Sequence, residues 1–251
     1  MCPPHGEGRL SKGLSAMMPL LKVQMKPSLS KESKRVGGRL YSYVVTHDTG
    51  FSPNPFFGYC TLACCKPAIR RSAQVGDWVV GLTPKARGNR VVYFMRIDEV
   101  KDSFADYWID RRFARKRPRY DRTIAMKCGD NIYEPKSDGT YRQLRSTHSD
   151  GEREDPVKKE HDLGGERVLI SETFTYFGSE AIELPTALKS LVVGRAHKCH
   201  FTPTEKSSFI DFVSACGVKG VQAAPRGWSG GDNTWAKTLA GSCGHRNEDH
   251  P

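Results

Sequence analysis

The sequence has no long apolar run. Its longest uninterrupted stretch, Val91-Val92-Tyr93-Phe94-Met95, is far short of the about 20 apolar residues a bilayer crossing needs, so no membrane span is expected. Cysteine is sparse as well: eight in 251 residues is well below the density of a disulfide-stapled fold. Ala16-Met17-Met18-Pro19-Leu20-Leu21 is too short and too broken by proline to be a secretory leader. Reduced thiols and a cytoplasmic location are therefore expected. The familiar mechanistic signatures are missing too: no phosphate-binding loop, no dinucleotide glycine fingerprint, no zinc-protease helix, no G-x-S-x-G turn and no zinc-deaminase motif. An enzyme built on this chain would have to use a less standard site. Cys60, Cys64, Cys65 and Cys128, or His197, Cys199 and His200, lack the paired C-x2-C spacing that closes a zinc site. No metal and no cofactor are expected.

What the chain does have is positive charge, net +11 with a pI near 9.3. Residues 1–39 hold eight Lys/Arg against Glu7 and Glu32, and so carry +6 of that total. With Pro3, Pro4, Pro19 and Pro27 and no apolar periodicity, residues 1–38 read as a disordered basic tail. Residues 39–222 read as one domain, and 223–251, with Gly227, Gly230, Gly231 and Gly241, as a flexible tail.

Within the domain, aromatic and β-branched runs predict strands at 40–46, 78–82, 90–97, 167–171 and 173–178, a short strand at 123–126, and a hairpin through Ile132–Glu134 and Tyr141–Leu144. Ser103 is placed to cap a helix carrying Phe104, Tyr107, Trp108 and Arg111 on one face. Pro185 opens a short helix. Thr204 and Gly217 bracket the clearest one, with Phe209, Phe212, Val213 and Cys216 on one side. Residues 149–162 are so charged that they read as an exposed loop. Strands without regular β-helix-β alternation give an α+β class: a mostly antiparallel, β-rich single domain with short helices.

Two constellations carry chemistry. Residues 101–127 hold nine Lys/Arg against four Asp. In that stretch Arg111, Arg112, Arg115, Lys116 and Arg117 can follow a phosphate backbone while Trp108 offers a stacking face; the plain alternative is a solvated basic face. The second set follows the first strand: His47, Asp48 and Asn54 near Phe51, Phe56, Phe57 and Cys60. Such a group can stack a planar ring and bond its edge, or use His47 as general base assisted by Asp48 or Cys60. A tight turn satisfied by Asn54 is the plain reading. His47 or His148 with Asp110 or Asp130 is a further acid-base pairing.

Arg39-Leu40-Tyr41-Ser42-Tyr43-Val44-Val45, Gly50-Phe51-Ser52-Pro53-Asn54-Pro55-Phe56-Phe57-Gly58, Cys60-Thr61-Leu62-Ala63, Lys66-Pro67, Tyr107-Trp108-x-Asp110-Arg111-Arg112-Phe113, Cys128-Gly129-Asp130-Asn131-Ile132-Tyr133 and Ser146-Thr147-His148-Ser149 together resemble the nucleotide modification associated domain 2 family. The resemblance covers about residues 39–218. It implies association with systems that modify DNA bases, or recognise modified ones, in phages and bacteria. One departure is Cys64-Cys65, where the family pattern has one Cys beside a Thr, so Cys64 is given no role. Val75-Gly76-Asp77-Trp78-Val79-Val80 is also similar to an element of PUA-like barrels, which implies a barrel as one form of the fold.

These readings converge on a nucleic-acid-associated domain that recognises or helps process a modified base in DNA. His47, Asp48, Asn54 and Phe57 would sit near its pocket, with Arg111, Arg112 and Trp108 at the entrance. The rivals are an enzyme acting on a nucleotide or base through a His/Asp pair, and a basic module for an acidic protein partner.

Overall fold

Residues 38–228 are described by the computed structural model. In chain order the elements are β1 (Leu40–Val44), β2 (Cys60–Leu62), α1 (Pro67–Ser72), β3 (Trp78–Leu82), β4 (Val91–Arg96), β5 (Glu99–Lys101), α2 (Phe104–Ile109), α3 (Ile124–Lys127), β6 (Tyr133–Pro135), β7 (Tyr141–Gln143), α4 (Pro156–Leu163), β8 (Val168–Ser171), β9 (Thr173–Tyr176), β10 (His197–Lys198), α5 (Pro203–Cys216) and β11 (Gly220–Val221).

The main sheet has the order β10-β1-β3-β4-β9-β11. Its neighbours pair antiparallel except β1 with β3 and β9 with β11. An antiparallel β2-β8-β5 sheet and the β6-β7 hairpin complete the strands. The class is α+β, as expected. The barrel form is not: among the described residues the main sheet stays open, ending at β10 and β11.

Alternation along the strands sorts side chains to two faces. Tyr41, Tyr43, Val79 and Met95 join Leu62 and Leu169 in one cluster, while Leu40, Val80, Leu82 and Phe94 meet Phe209 of α5 in another. A third cluster gathers Phe51, Phe104, Tyr107, Phe113 and Ile170 around α2 and β8. Gly81 lies where β3 is crowded: a Cβ there would run into the Tyr93 ring and Val45.

Helix ends follow local chemistry. Thr202, two residues before the expected cap, closes a capping box with Glu205 at the start of α5, because Pro203 suits the first helical position. Asp110 accepts from the Arg112 backbone N–H, so the chain leaves α2 and restarts as a 3-10 turn over Arg111–Lys116. The strand expected at 123–126 is helix α3, capped by Thr123. The expected loop at 149–162 contains most of α4, capped by Asp155, and its Asp162 is fully buried. Packing also continues past 222, with Pro225 buried and Trp228 Nε1 donating to Thr49 O at 2.9 Å. The expectations for residues 1–37 and 229–251 lie outside the described residues.

Candidate functional site

The chain leaves β2 through Ala63 and Cys64, both buried, and turns at Cys65-Lys66 into α1, whose first residue is Pro67. Cys65 and Lys66 have φ of 57° and 44°. Two successive non-glycine residues in the left-handed region cost on the order of 1–3 kcal/mol each, and persist only where the surroundings over-determine them. They do so here. Cys65 N donates to Asp162 Oδ1 at 2.7 Å, and Arg70 Nε donates to Cys65 O at 2.8 Å. The buried Arg70 guanidinium also holds the carbonyls of Asp162 and Arg167. Gly165 makes room for it, since a Cβ at that position would collide with the guanidinium. The turn bearing Cys65 is thereby bracketed to the end of α4.

His148 arrives from the turn after β7. Ser146 N donates to Ser149 Oγ at 2.8 Å and His148 N to Ser146 Oγ at 3.1 Å, while Gln143 Nε2 donates to His148 O at 2.9 Å. This closes a short polar turn that presents the imidazole, and the Phe51 ring packs on it at 4.9 Å between centroids. His148 Nε2 lies 3.4 Å from Cys65 Sγ, and its Nδ1 lies 2.6 Å from Asp162 Oδ2. Tyr133 OH donates to the same Asp162 oxygen at 2.8 Å.

Thiol, imidazole and carboxylate therefore form one chain, Cys65–His148–Asp162. Burial alone would lower the basicity of His148, but Cys65 and Asp162 on either side raise it well above an ordinary imidazole. Asp162 is the reverse case: burial raises it, yet His148 and the Cys65 N–H hold it well below the usual carboxylate range. A nucleophile, a base and a residue that orients the base are the parts of covalent catalysis. Cys64, His148 and Asp162 also place three metal-capable atoms within 4.8 Å. A metal there would have to displace the three hydrogen bonds already made by Asp162, and Cys64 Sγ is engaged with Asp130 O at 3.6 Å.

The residues expected from sequence part into distinct places. Phe51 and His148 join the triad. His47 is exposed at the end of β1. Asp48 is buried and spends its oxygens on Tyr176 OH and Arg226 N; burial pushes its carboxyl up. The small cavity beside Asp48 is lined by Val45, Thr83, Arg87, Ser179 and Arg226, without Asn54 or Trp108. Asn54 is fully buried, donating from Nδ2 to Cys128 O at 2.9 Å. Asp130 accepts from Thr61 Oγ1 at 2.6 Å and Tyr107 OH at 2.8 Å, so it is not the partner of His148. Asp110 is not that partner either, since it pairs with Lys101 and Arg112.

Lys116 does not reach the basic rim. It is fully buried and donates to Asn54 O, Asn54 Oδ1 and Tyr59 O at 2.7–2.9 Å. Arg112 is tied to Asp110 and Glu99. Arg115 lies over the Phe57 ring at 4.4 Å and Arg117 over Trp108 at 4.0 Å, and Arg111 is exposed.

Sequence reasoning missed Cys65 and Asp162. The available signal was Lys66-Pro67, since proline marks a helix start and so puts Cys65 on a strand-to-helix turn. No helix among the described residues is long and apolar enough to cross a membrane. No curated protein and no solved structure matches the chain. The sequence model described as nucleotide modification associated domain 2 matches residues 38–232, which takes in β1, the Cys65 turn, His148 and Asp162. The chain belongs to the nucleotide modification associated domain 2 family.

Proposed function

We propose that the protein is a thiol-dependent enzyme of nucleotide or DNA-base modification. The observation that carries this reading is the unbroken Cys65 Sγ–His148–Asp162 chain on a strained strand-to-helix turn. In the reaction Cys65 acts through its thiolate, with the proton carried on His148 Nε2. Its sulfur attacks an electrophilic carbon of the substrate. The S–C bond forms, the bond to the leaving group breaks, and His148 gives its proton to that group. A second nucleophile, water or an acceptor hydroxyl or amine, then delivers its proton to His148 as it attacks the same carbon and releases the thiolate. Asp162 fixes the imidazole and balances its charge.

Arg111 and Arg115 are exposed and, unlike Arg112, Arg119 and Arg122, take part in no ion pair among the described residues, so they suit a nucleic-acid substrate. A free thiol suits the reducing cytoplasm. A base reader without turnover has less support, because Asn54 and Asp130 spend their bonding capacity inside the fold.

Limiting iodoacetamide at pH 7, followed by peptide mass mapping, tests the assignment. Cys65 should be alkylated first, ahead of Cys199 and Cys216, which are also half-buried. Labelling of Cys65 no faster than those two would sink the proposal. If Cys65 is reactive but modified and unmodified oligonucleotides are bound without product, the domain is a reader.

A further inference from the structure

Lys66, the residue after the nucleophile, is the second of the two left-handed positions in the turn. Its ammonium lies 5.1 Å from the centre of the Tyr43 ring. Burial chiefly raises the Tyr43 phenol, and an electrostatic contribution from Cys65 adds to that rise. The ammonium one residue on from the thiol thus rests on the face of a buried ring.

The carboxylates near the turn are committed elsewhere. Asp162 holds His148, Tyr133 and the Cys65 N–H, and Asp48 holds Tyr176 and Arg226. Among the described residues no ion pair involves Lys66. Its charge is nonetheless felt by its surroundings, because together with burial it lowers the basicity of His197. A half-buried cation resting on a ring face rather than on a carboxylate can still take an anion.

We infer that Lys66 is a specificity-determining residue that selects, at Cys65, an electrophilic substrate bearing an anionic group. The inference rests on Cys65 being the nucleophile and names the class of molecule it attacks. The anion would be a phosphate of the nucleotide or nucleic acid, or the carboxylate of a small co-substrate. Either would be seated with its electrophilic carbon over the sulfur.

Two alkylating reagents that differ in charge test this on the full chain. Both lose iodide to the sulfur as the S–C bond forms, but iodoacetate is an anion and iodoacetamide is neutral. In the native protein the rate ratio of iodoacetate to iodoacetamide at Cys65 should exceed the ratio at Cys199. In Lys66→Met it should fall by about threefold or more, the effect of removing one unit charge from the adjacent residue through partly screened solvent. Lys66→Arg should restore it. The charge on His148 is common to all three proteins, and the iodoacetamide rate reports whether the turn is intact.

Inorganic phosphate and acetate as competitors then separate the two sources: slower iodoacetate labelling with phosphate points to a nucleotide or nucleic acid, and with acetate to a carboxylate co-substrate. An unchanged ratio in Lys66→Met, with Cys65 still fast towards iodoacetamide, overturns the inference and leaves the nucleophile standing. A Cys65 slow to both reagents in the native protein overturns the nucleophile as well.

Discussion

Two polar networks lie side by side in this domain, and they are finished differently. Around Lys116, the side chains of Lys116, Asn54, Thr61, Tyr107 and Asp130 all meet partners inside the fold. The ammonium has three oxygens, Asp130 accepts from Thr61 and Tyr107, and Asn54 bonds to Cys128 O. Around Asp162 the chain of bonds runs outward and stops at the half-buried Cys65 sulfur. A closed network fixes loops, whereas one that ends on a nucleophilic atom is equipped for chemistry. The first joins the Asn54 loop to the 3-10 turn after α2, and through Cys64 Sγ to Asp130 O it also touches the second.

The comparison predicts that removing the terminal atom of the open network should destroy function while sparing the fold. Cys65→Ala should lower turnover by on the order of 10,000-fold or more, with a thermal midpoint within a few degrees of wild type by calorimetry. Collapse of the midpoint would make Cys65 structural. His148→Ala comes next. Alkylation of Cys65 by iodoacetamide at pH 6.5 should slow by about 100-fold, because a raised His148 keeps its proton, and so a positive charge beside the sulfur, throughout the neutral range. A pH profile unaltered by His148→Ala would break the link between sulfur and imidazole.

The closed network should show the opposite pattern. Lys116→Met leaves three buried acceptors and Asp130 uncompensated, and should cost about 3–5 kcal/mol in denaturant unfolding with little effect on Cys65 alkylation. Burial draws Lys116 down to about 8. Above that pH the unfolded chain keeps a proton that the native protein has given up, so this group contributes stability that grows as pH rises. The gap between wild type and Lys116→Met should therefore widen from pH 7 to pH 9.5; a gap that narrows would reverse the assignment.

The smallest effect belongs to the surface. Arg111→Gln with Arg115→Gln should flatten the log–log salt dependence of oligonucleotide binding by roughly 0.7–0.9 for each phosphate that is no longer neutralised. An unchanged slope would leave these arginines as solvated charge, with Arg115 simply covering Phe57.

The strands were legible because each draws on a dense aromatic or β-branched run: Leu40–Val44, Trp78–Leu82 and Val91–Arg96 fall inside the expected spans. Short helices were harder to read. Ile124–Lys127 is a single turn set by the Thr123 cap, which a β-rich composition conceals. Much of the site was hidden for a similar reason. Asp162 sits in a segment as charged as any solvated loop, and its burial depends on Arg70, Tyr133 and His148 arriving from other parts of the chain. Asn54 and Asp130 looked functional because short polar residues among aromatics serve equally well to line a pocket or to tie a core together. Sequence spacing does not say which valences are already filled.

The order in which the triad is synthesised has its own consequence. His148 lies 83 residues after Cys65, and Asp162 lies 97 after it. At roughly 5–20 residues per second, ribosomes complete Asp162 about 5–20 s after Cys65. Until then the thiol has neither imidazole nor carboxylate beside it, and the turn that strains its backbone has nothing to brace it. A nascent chain therefore carries an isolated cysteine, and the hydrogen-bonded Cys65–His148–Asp162 chain comes into being only once the polypeptide has folded back on itself across that interval.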